Sequence, residues 1–289
     1  MLKFIEPMHP TLAPSAPEGE DWIHEIKYDG YRTQLVIDET GVRAFTRNGF
    51  DWSDRYPTLL IAAGELRCAS AIIDGEAIVQ DEQGRSDFAA FAGAMTARPE
   101  DIVFMAFDLL HIDGRDVRQE PLTDRRARLR DLIGCHDPSC RLQFSDDVAS
   151  SGPELFRAVE GLQMEGIVSK RAFSPYRSGR SKAWLKVKCF AEDEFTVIGF
   201  ETAQGGPPAA LLAREADEGL SYAGAAMVTL SGPQRERFWR TVERTRTNRA
   251  AVPVRHNRGQ WVTPGMRVRA RYLRGSDKLR HATLLEILP

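Results

Sequence analysis

Short apolar runs broken by turn residues fill the first two thirds of the chain. DWIHEIKYD (21–29), TQLVID (33–38), VRAFTR (42–47), AIIDGEAIV (71–79) and VFMAFDLL (103–110) are rich in β-branched and aromatic residues and bounded by Gly, Asp and Asn, which predicts strands of an antiparallel sheet. Helical period appears between them, at 53–67, 86–97, 122–134 and 151–163, with Leu122-Thr123-Asp124 as the expected cap of the third. Strands return in GIVSKR (166–171) and AWLKVK (183–188). The Pro-rich first 20 residues read as an extended lead-in.

A boundary is expected near Cys189–Glu194. Beyond it lie EFTVIGFET, a Gly/Pro turn at QGGPP, AALLAREA, LSYAGAAMV, a charged helix over Pro233–Arg246, MRVRARYL and RHATLLEIL. Five short strands with one helix in such a length predict a small closed barrel of the OB-fold type, a common nucleic-acid platform. The expected domains are therefore 1–190 and 191–289, in an α+β chain.

Composition narrows the function classes. At 289 residues with 42% hydrophobic and 28% charged residues, this is the make-up of a globular protein, and no apolar run is long enough to span a bilayer. The first residues lack the basic-then-apolar order of a signal peptide, so a cytoplasmic location, with no membrane partner, is expected. Cys68, Cys135, Cys140 and Cys189 form no CxxC; Cys135-His136…Cys140 lacks the second pair of a zinc site, and buried free thiols are expected. The net charge of −2 hides an uneven distribution: residues 234–289 hold 14 Lys/Arg against 4 Asp/Glu, while residues 1–190 carry −6. A concentrated basic segment is what phosphate-backbone binding needs, although a solvated helix face would look alike.

The candidate chemistry begins in EIKYDGYR. On a strand, Glu25 and Lys27 would share a face. The Asp29-Gly30 turn would bring Arg32 back beside Lys27, favouring the neutral amine that a lysine nucleophile requires. An Asp-Gly turn flanked by a lysine is common, so this stretch alone decides nothing. Glu76 follows a second Asp-Gly pair; Phe107 sits in an apolar run, as a core ring or a ring for a base; Glu165 lies at the mouth of a strand. Lys186 and Lys188, at i and i+2, share a strand face and repel each other unless an anion lies between them. Arg47 adds a cation after a strand. One amine, several cations, two carboxylates and an aromatic platform suit the α-phosphate of a nucleotide, and no P-loop is present.

The ordered set EIKYDGYR, TRNG, IIDGEAIV, FMAFDLL, MEGIVSK and WLKVK resembles the covalent nucleotidyltransferase superfamily. More narrowly it is similar to ATP-dependent DNA ligases, near the ligase portion of bacterial end-joining ligases, through DWIHEIKYDGYR, SPYRSGRSKAWLKVKC and YLRGSDKLRHATL. The resemblance covers nearly the whole chain. It implies a nucleotidyltransferase (adenylation) domain of ATP-grasp-like antiparallel sheets with helices, followed by an OB-fold β-barrel. It also implies ATP, Mg²⁺ or Mn²⁺, and AMP carried covalently on Lys27 to the 5′-phosphate of nicked double-stranded DNA. Arg32 and Arg47 would contact phosphate and the nick end, Glu25 adenine, Glu76 ribose or metal, Phe107 the base, Glu165 the metal, and Lys186 and Lys188 the α-phosphate. Arg180 is a weaker phosphate contact.

Related ligases carry an RxDK-like motif after the barrel, and here the chain stops at Pro289, where it would begin. Asp277-Lys278 is a poor substitute, so either self-adenylylation is slow or Arg280 or another basic residue compensates. The expectation is that sealing of preadenylylated nicks is better preserved than self-adenylylation. A minimal two-domain monomer is expected, nucleoid-associated when on DNA, with a hinge near Cys189–Glu192 and an end-binding protein as a further partner. The alternatives are an RNA ligase, a capping-type nucleotidyltransferase, or a non-catalytic nucleic-acid-binding relative.

Overall fold

The structure is a computed structural model that describes all residues except 136, 138, 203–206, 217, 218, 255–258 and 275–277. It divides into two compact units, Met1–Cys189 and Phe190–Pro289. The first opens with β1 (Met8–Leu12), β2 (Trp22–Ile26), β3 (Tyr31–Asp38) and β4 (Gly41–Thr46), followed by α1 (Pro57–Gly64), β5 (Ala71–Val79) and α2 (Phe88–Ala97). It continues through β6 (Ile102–Ile112), β7 (Arg115–Asp116), α3 (Leu122–Ile133) and β8 (Leu142–Phe144) to α4 (Gly152–Gly161), β9 (Gly166–Arg171) and β10 (Gly179–Lys188).

Two sheets result, a four-stranded one in the order β1-β10-β9-β2 and a six-stranded one in the order β4-β3-β5-β6-β7 with β8 against β6. Strand β3 shows why they stack. Leu35 and Ile37 enter one core with Phe91 of α2 and Leu129 of α3, while Val36 enters another with Met8, Tyr176 and Trp184 of the four-stranded side. A strand buried on both faces must be apolar at consecutive positions, as Leu35-Val36-Ile37 are.

Several expectations change. The lead-in contains β1, and β1–β10 and β6–β8 pair in parallel, so the sheets are mixed. Helix α3 is preceded by Pro121 without a side-chain cap and ends on left-handed Gly134. Cys135 and Cys140 are not free thiols but are joined, with Cα atoms 6.6 Å apart; half-buried Cys68 and buried Cys189 are in no disulfide. His136 lies outside the described residues.

The second unit runs β11 (Phe190–Glu201), β12 (Ala209–Ala216), β13 (Gly219–Met227), α5 (Gly232–Arg244), β14 (Arg246–Thr247), β15 (Gln260–Val262), β16 (Arg267–Leu273) and β17 (Leu279–Ile287). Five strands close into a ring, β11-β12-β13-β17-β16 and back to β11, with β13 and β17 parallel. The short β14 and β15 extend the sheet from β11, and Arg246, expected in the helix, lies in β14. Phe238 and Val242 of α5 join Phe195, Val197, Leu212 and Val268 in the ring's core. The QGGPP turn and Asp277 fall partly or wholly outside the described residues.

Candidate functional site

A cavity of about 570 Å³ opens in the first unit, and Lys27 lies on its wall. Strand β2 ends at Ile26, so Lys27 sits just past the strand rather than on a face shared with Glu25. Its backbone N–H donates to Gly166 O at 2.9 Å, which ties the segment to the start of β9. Residues Lys27–Gly30 do not form a hairpin turn: they carry the chain from the four-stranded sheet, where β2 lies, to the six-stranded sheet, where β3 begins. Arg32 therefore reaches the cavity from the other sheet, not from a hairpin partner of β2. Its fork binds Asp74, Nε to Oδ1 at 3.0 Å and Nη2 to Oδ2 at 2.6 Å, and Tyr176 Oη donates to the same carboxylate at 2.6 Å. The charge in contact with the Lys27 amine is negative: Nζ donates to Glu165 Oε2.

Glu165 stands immediately before β9, as expected, and Lys188 Nζ lies 3.7 Å from its other oxygen. Close approach of β9 to β10 depends on Gly166, whose φ is +147° and where a Cβ would meet Val187 O at 2.1 Å. Lys186 and Lys188 follow at i and i+2 on β10, in register with Val168 and Gly166. Burial lowers the Lys186 pKa, and the charges of Lys188, Lys27 and Arg47 lower it further. The Asp74-Gly75-Glu76 stretch is not a turn but the middle of β5, with a register shift at Asp74/Gly75. A Cβ on Gly75 would fall 2.3 Å from the Phe104 ring, so only glycine fits. Glu76 faces Arg32 across the ladder; burial pushes its carboxyl up to about 7 against the charges of Lys27 and Arg32, with Glu165 and Asp29 adding to the rise.

The lining carries two kinds of polar group. The side chains of Lys186, Glu76, exposed Arg47 and exposed Arg180 make no hydrogen bond or ion pair among the described residues. Around Glu25 the reverse holds. Its Oε1 accepts from Arg126 Nη1 at 2.8 Å and lies 2.7 Å from Lys170 Nζ, and Ser145 Oγ donates to Oε2 at 3.1 Å. Lys170 also stands 4.4 Å from the centre of the Phe107 ring and 4.5 Å from that of Trp184, the two rings meeting edge to face at 6.0 Å. The buried Trp184 Nε1 has no hydrogen-bond partner among the described residues.

The structure thus brings Glu25, Lys27, Arg32, Arg47, Glu76, Phe107, Arg180 and Lys186 to one cavity, with Glu165 and Lys188 behind Lys27. Arg280 is half-buried on β17 of the second unit. Sequence reasoning missed Asp74, Lys170, Arg126, Ser145 and His9, the last lining the cavity from β1. One signal was present: Leu122, Arg126, Leu129 and Ile133 fall on one helical face, which puts an arginine at a core position.

Comparison with known proteins follows the same line. A family model described as the ATP dependent DNA ligase domain matches residues 8–188. The multifunctional non-homologous end joining protein LigD of Pseudomonas aeruginosa is 37% identical over 238 residues, 82% of this chain and 26% of that protein. A probable DNA ligase of Beutenbergia cavernae is 33% identical over 71% of this chain and 43% of its own length. The chain thus spans between about a quarter and less than half of these relatives. Among solved structures, the ligase domain of Mycobacterium tuberculosis LigD matches with a TM-score of 0.58 at 27% identity, covering 98% of this chain and 94% of that one. A mycobacterial DNA ligase D complexed with ATP and MES matches with a TM-score of 0.59 over the same shares.

Proposed function

Because the chain belongs to the ATP-dependent DNA ligase domain family, we propose that it seals nicks in duplex DNA through AMP carried on Lys27, in end joining of broken DNA in a bacterial cell. One observation carries the reading: an amine in contact with a carboxylate, on the wall of a cavity whose Lys186, Arg47 and Arg180 side chains have no acceptor among the described residues. Cations without internal partners are ready-made for phosphate oxygens.

The steps follow from this placement. Lys27 Nζ, passing a proton to Glu165, attacks the α-phosphorus of ATP; an N–P bond forms and pyrophosphate leaves. Lys186 and Lys188 neutralise charge on the α-phosphate, and Phe107 offers its ring to the base, whose edge meets Glu25. An oxygen of the nick 5′-phosphate then attacks the AMP phosphorus and breaks the N–P bond. Finally the 3′-hydroxyl attacks the 5′-phosphorus and AMP leaves. Arg47 and Arg180, exposed at the cavity, contact the nick, and Arg32, locked on Asp74, shapes the wall beside it.

A divalent ion fits this donor set. Among the described residues no three His, Cys, Asp or Glu cluster as ligands, but Mg²⁺ is commonly held by one or two carboxylates with phosphate and water completing its shell. Glu76 and Glu165, whose charges act on each other, are those carboxylates. When bound, Mg²⁺ or Mn²⁺ withdraws charge from the transferring phosphate.

The domains we assign are an adenylation domain over the first unit and an OB-fold over the second. The closed five-strand ring, the parallel β13–β17 pair and the single helix between β13 and β16 support the latter. The basic run of residues 234–289 would serve the DNA backbone, Arg280 included, and a DNA end-binding protein is the proposed partner in the cell. The test is intact mass after incubation with ATP and Mg²⁺, followed by sealing of nicked DNA. The unaltered chain gains the mass of AMP and joins the strands. Lys27→Ala does neither, and an AMP adduct on Lys27→Ala would place the nucleophile elsewhere.

A further inference from the structure

We propose that Arg126, on a helix outside the six motifs of nucleotidyl transfer, is the positioning residue that sets the choice of nucleobase, by holding Glu25 as a fixed acceptor at the buried end of the cavity. This rests on the nucleotide-binding reading of the cavity given above.

Arg126 is buried, and both of its terminal nitrogens are used. Nη1 donates to Glu25 Oε1 at 2.8 Å; Nη2 donates to Ser145 O at 2.8 Å and to Asp147 Oδ1 at 3.0 Å. Its guanidinium lies 4.6 Å from the centre of the Phe144 ring. One side chain of α3 therefore locks the segment after β8 to the end of β2. Backbone contacts close the same seam, since Glu25 bridges Asp147 and Val148 N donates to His24 O at 3.0 Å. Ser145, placed by this lock, turns its hydroxyl to Glu25 Oε2, and Lys170 completes the cage on Oε1.

The consequence is chemical. Two cations occupy Oε1, while Oε2 receives a single hydroxyl and keeps acceptor capacity. A carboxylate oxygen in fixed orientation attracts an amino group and repels a carbonyl. At its six position adenine presents a donor amine and guanine an acceptor oxygen, so an immobile Glu25 selects between them. Discrimination of this kind depends on the acceptor being unable to turn away, because a mobile carboxylate can relieve the clash with guanine. Lys170 also reaches the Phe107 carbonyl, at 3.4 Å, but through a single flexible ammonium; Arg126 ties the carboxylate to the Ser145 carbonyl and to Asp147 through a planar, rigid fork.

The test compares the unaltered chain with Arg126→Met, Arg126→Lys and Ser145→Ala. Formation of the covalent nucleotide adduct is followed by intact mass over a concentration series of ATP and of GTP, and sealing of a preadenylylated nick is measured without nucleotide. Arg126→Met is expected to lower the ATP-over-GTP ratio of kcat/KM by about tenfold or more, mainly through KM for ATP. Sealing of the preadenylylated nick should stay within about twofold, since that step does not select a free nucleotide. Arg126→Lys, which keeps the charge, should recover part of the ratio, and Ser145→Ala should lower it less than Arg126→Met. An unchanged ratio in folded Arg126→Met, or equal losses with ATP, GTP and the preadenylylated nick, overturns the proposal, because a residue of merely structural importance behaves that way. Should Arg126→Met fail to fold, an unchanged ratio in both other variants does the same. If the unaltered chain forms no adduct with either nucleotide, the cavity reading falls and takes this inference with it; an adduct with an unaltered ratio sinks this inference alone.

Discussion

The two ends of the cavity solve opposite problems. Around Glu25, charges are buried and matched: Arg126 and Lys170 share one carboxylate, and Ser145 caps its second oxygen. Around Lys186, Arg47 and Arg180 cations gather with no acceptor among the described residues, and the Glu76 carboxyl near them has no ion-pair partner there either. A matched end is rigid before any ligand arrives, as selection requires. An unmatched end stores repulsion that a bound anion relieves, which is how a site trades stability for affinity.

Stability measurements should therefore move in opposite directions at the two ends. Arg126→Met, which takes one of two cations from the buried Glu25 carboxylate and leaves the Ser145 carbonyl without that donor, is expected to cost about 3 kcal/mol in urea unfolding. A loss under about 1 kcal/mol would mean that the cage is not a matched unit. Lys186→Met should reduce adduct formation on the order of 100-fold yet leave the free chain as stable or more so. Because the folded pKa of Lys186 is lowered, the fold disfavours its protonated form. Stability of the unaltered chain should rise as pH climbs through that lowered value toward 10.5, and Lys186→Met should lack this rise.

Glu76 offers a smaller, pH-resolved version of the same contrast. Its carboxyl, raised from 4.5 to about 7 by burial, holds a proton in the folded chain that the unfolded chain has released. The associated stability is complete below pH 4.5 and is lost as pH rises through about 7. In metal-free buffer, Glu76→Gln should gain about 2 kcal/mol relative to the unaltered chain between pH 4 and pH 8. A constant difference across that range would show that Glu76 is not desolvated. The smallest effect is expected at Arg47, which is exposed and unpartnered. Arg47→Ala should change stability by less than about 0.5 kcal/mol and reduce the salt slope of nicked-DNA binding by about one. An unaltered slope would remove Arg47 from the DNA-facing set.

Much of the site was legible because it is local. Alternation along WLKVK places Lys186 and Lys188 together, and Glu165 stands at a strand mouth whatever the sheet does. The failures were failures of partner. Arg32 reads as a neighbour of Lys27 when Asp29-Gly30 is taken for a hairpin turn, but the chain crosses between sheets there and Asp74 claims the guanidinium. Asp74-Gly75 reads as a turn by composition, yet it lies inside β5, where glycine is needed for the Phe104 ring and not for chain reversal. Cys135 and Cys140 read as separate thiols because spacing alone does not bring their Cα atoms to 6.6 Å.

By itself the sequence determined the strand and helix periods, the lysine pair, the motif order and hence the family, since these depend on neighbours a few residues apart. Only the tertiary structure decided which charges meet. Glu25 and Arg126 are 101 positions apart, Glu25 and Ser145 are 120, and Lys27 and Glu165 are 138. No local period spans such separations. The stacking of two sheets and the packing of α3 make those side chains neighbours, and in a buried site the identity of the neighbour decides whether a charge is locked in place or left for the ligand.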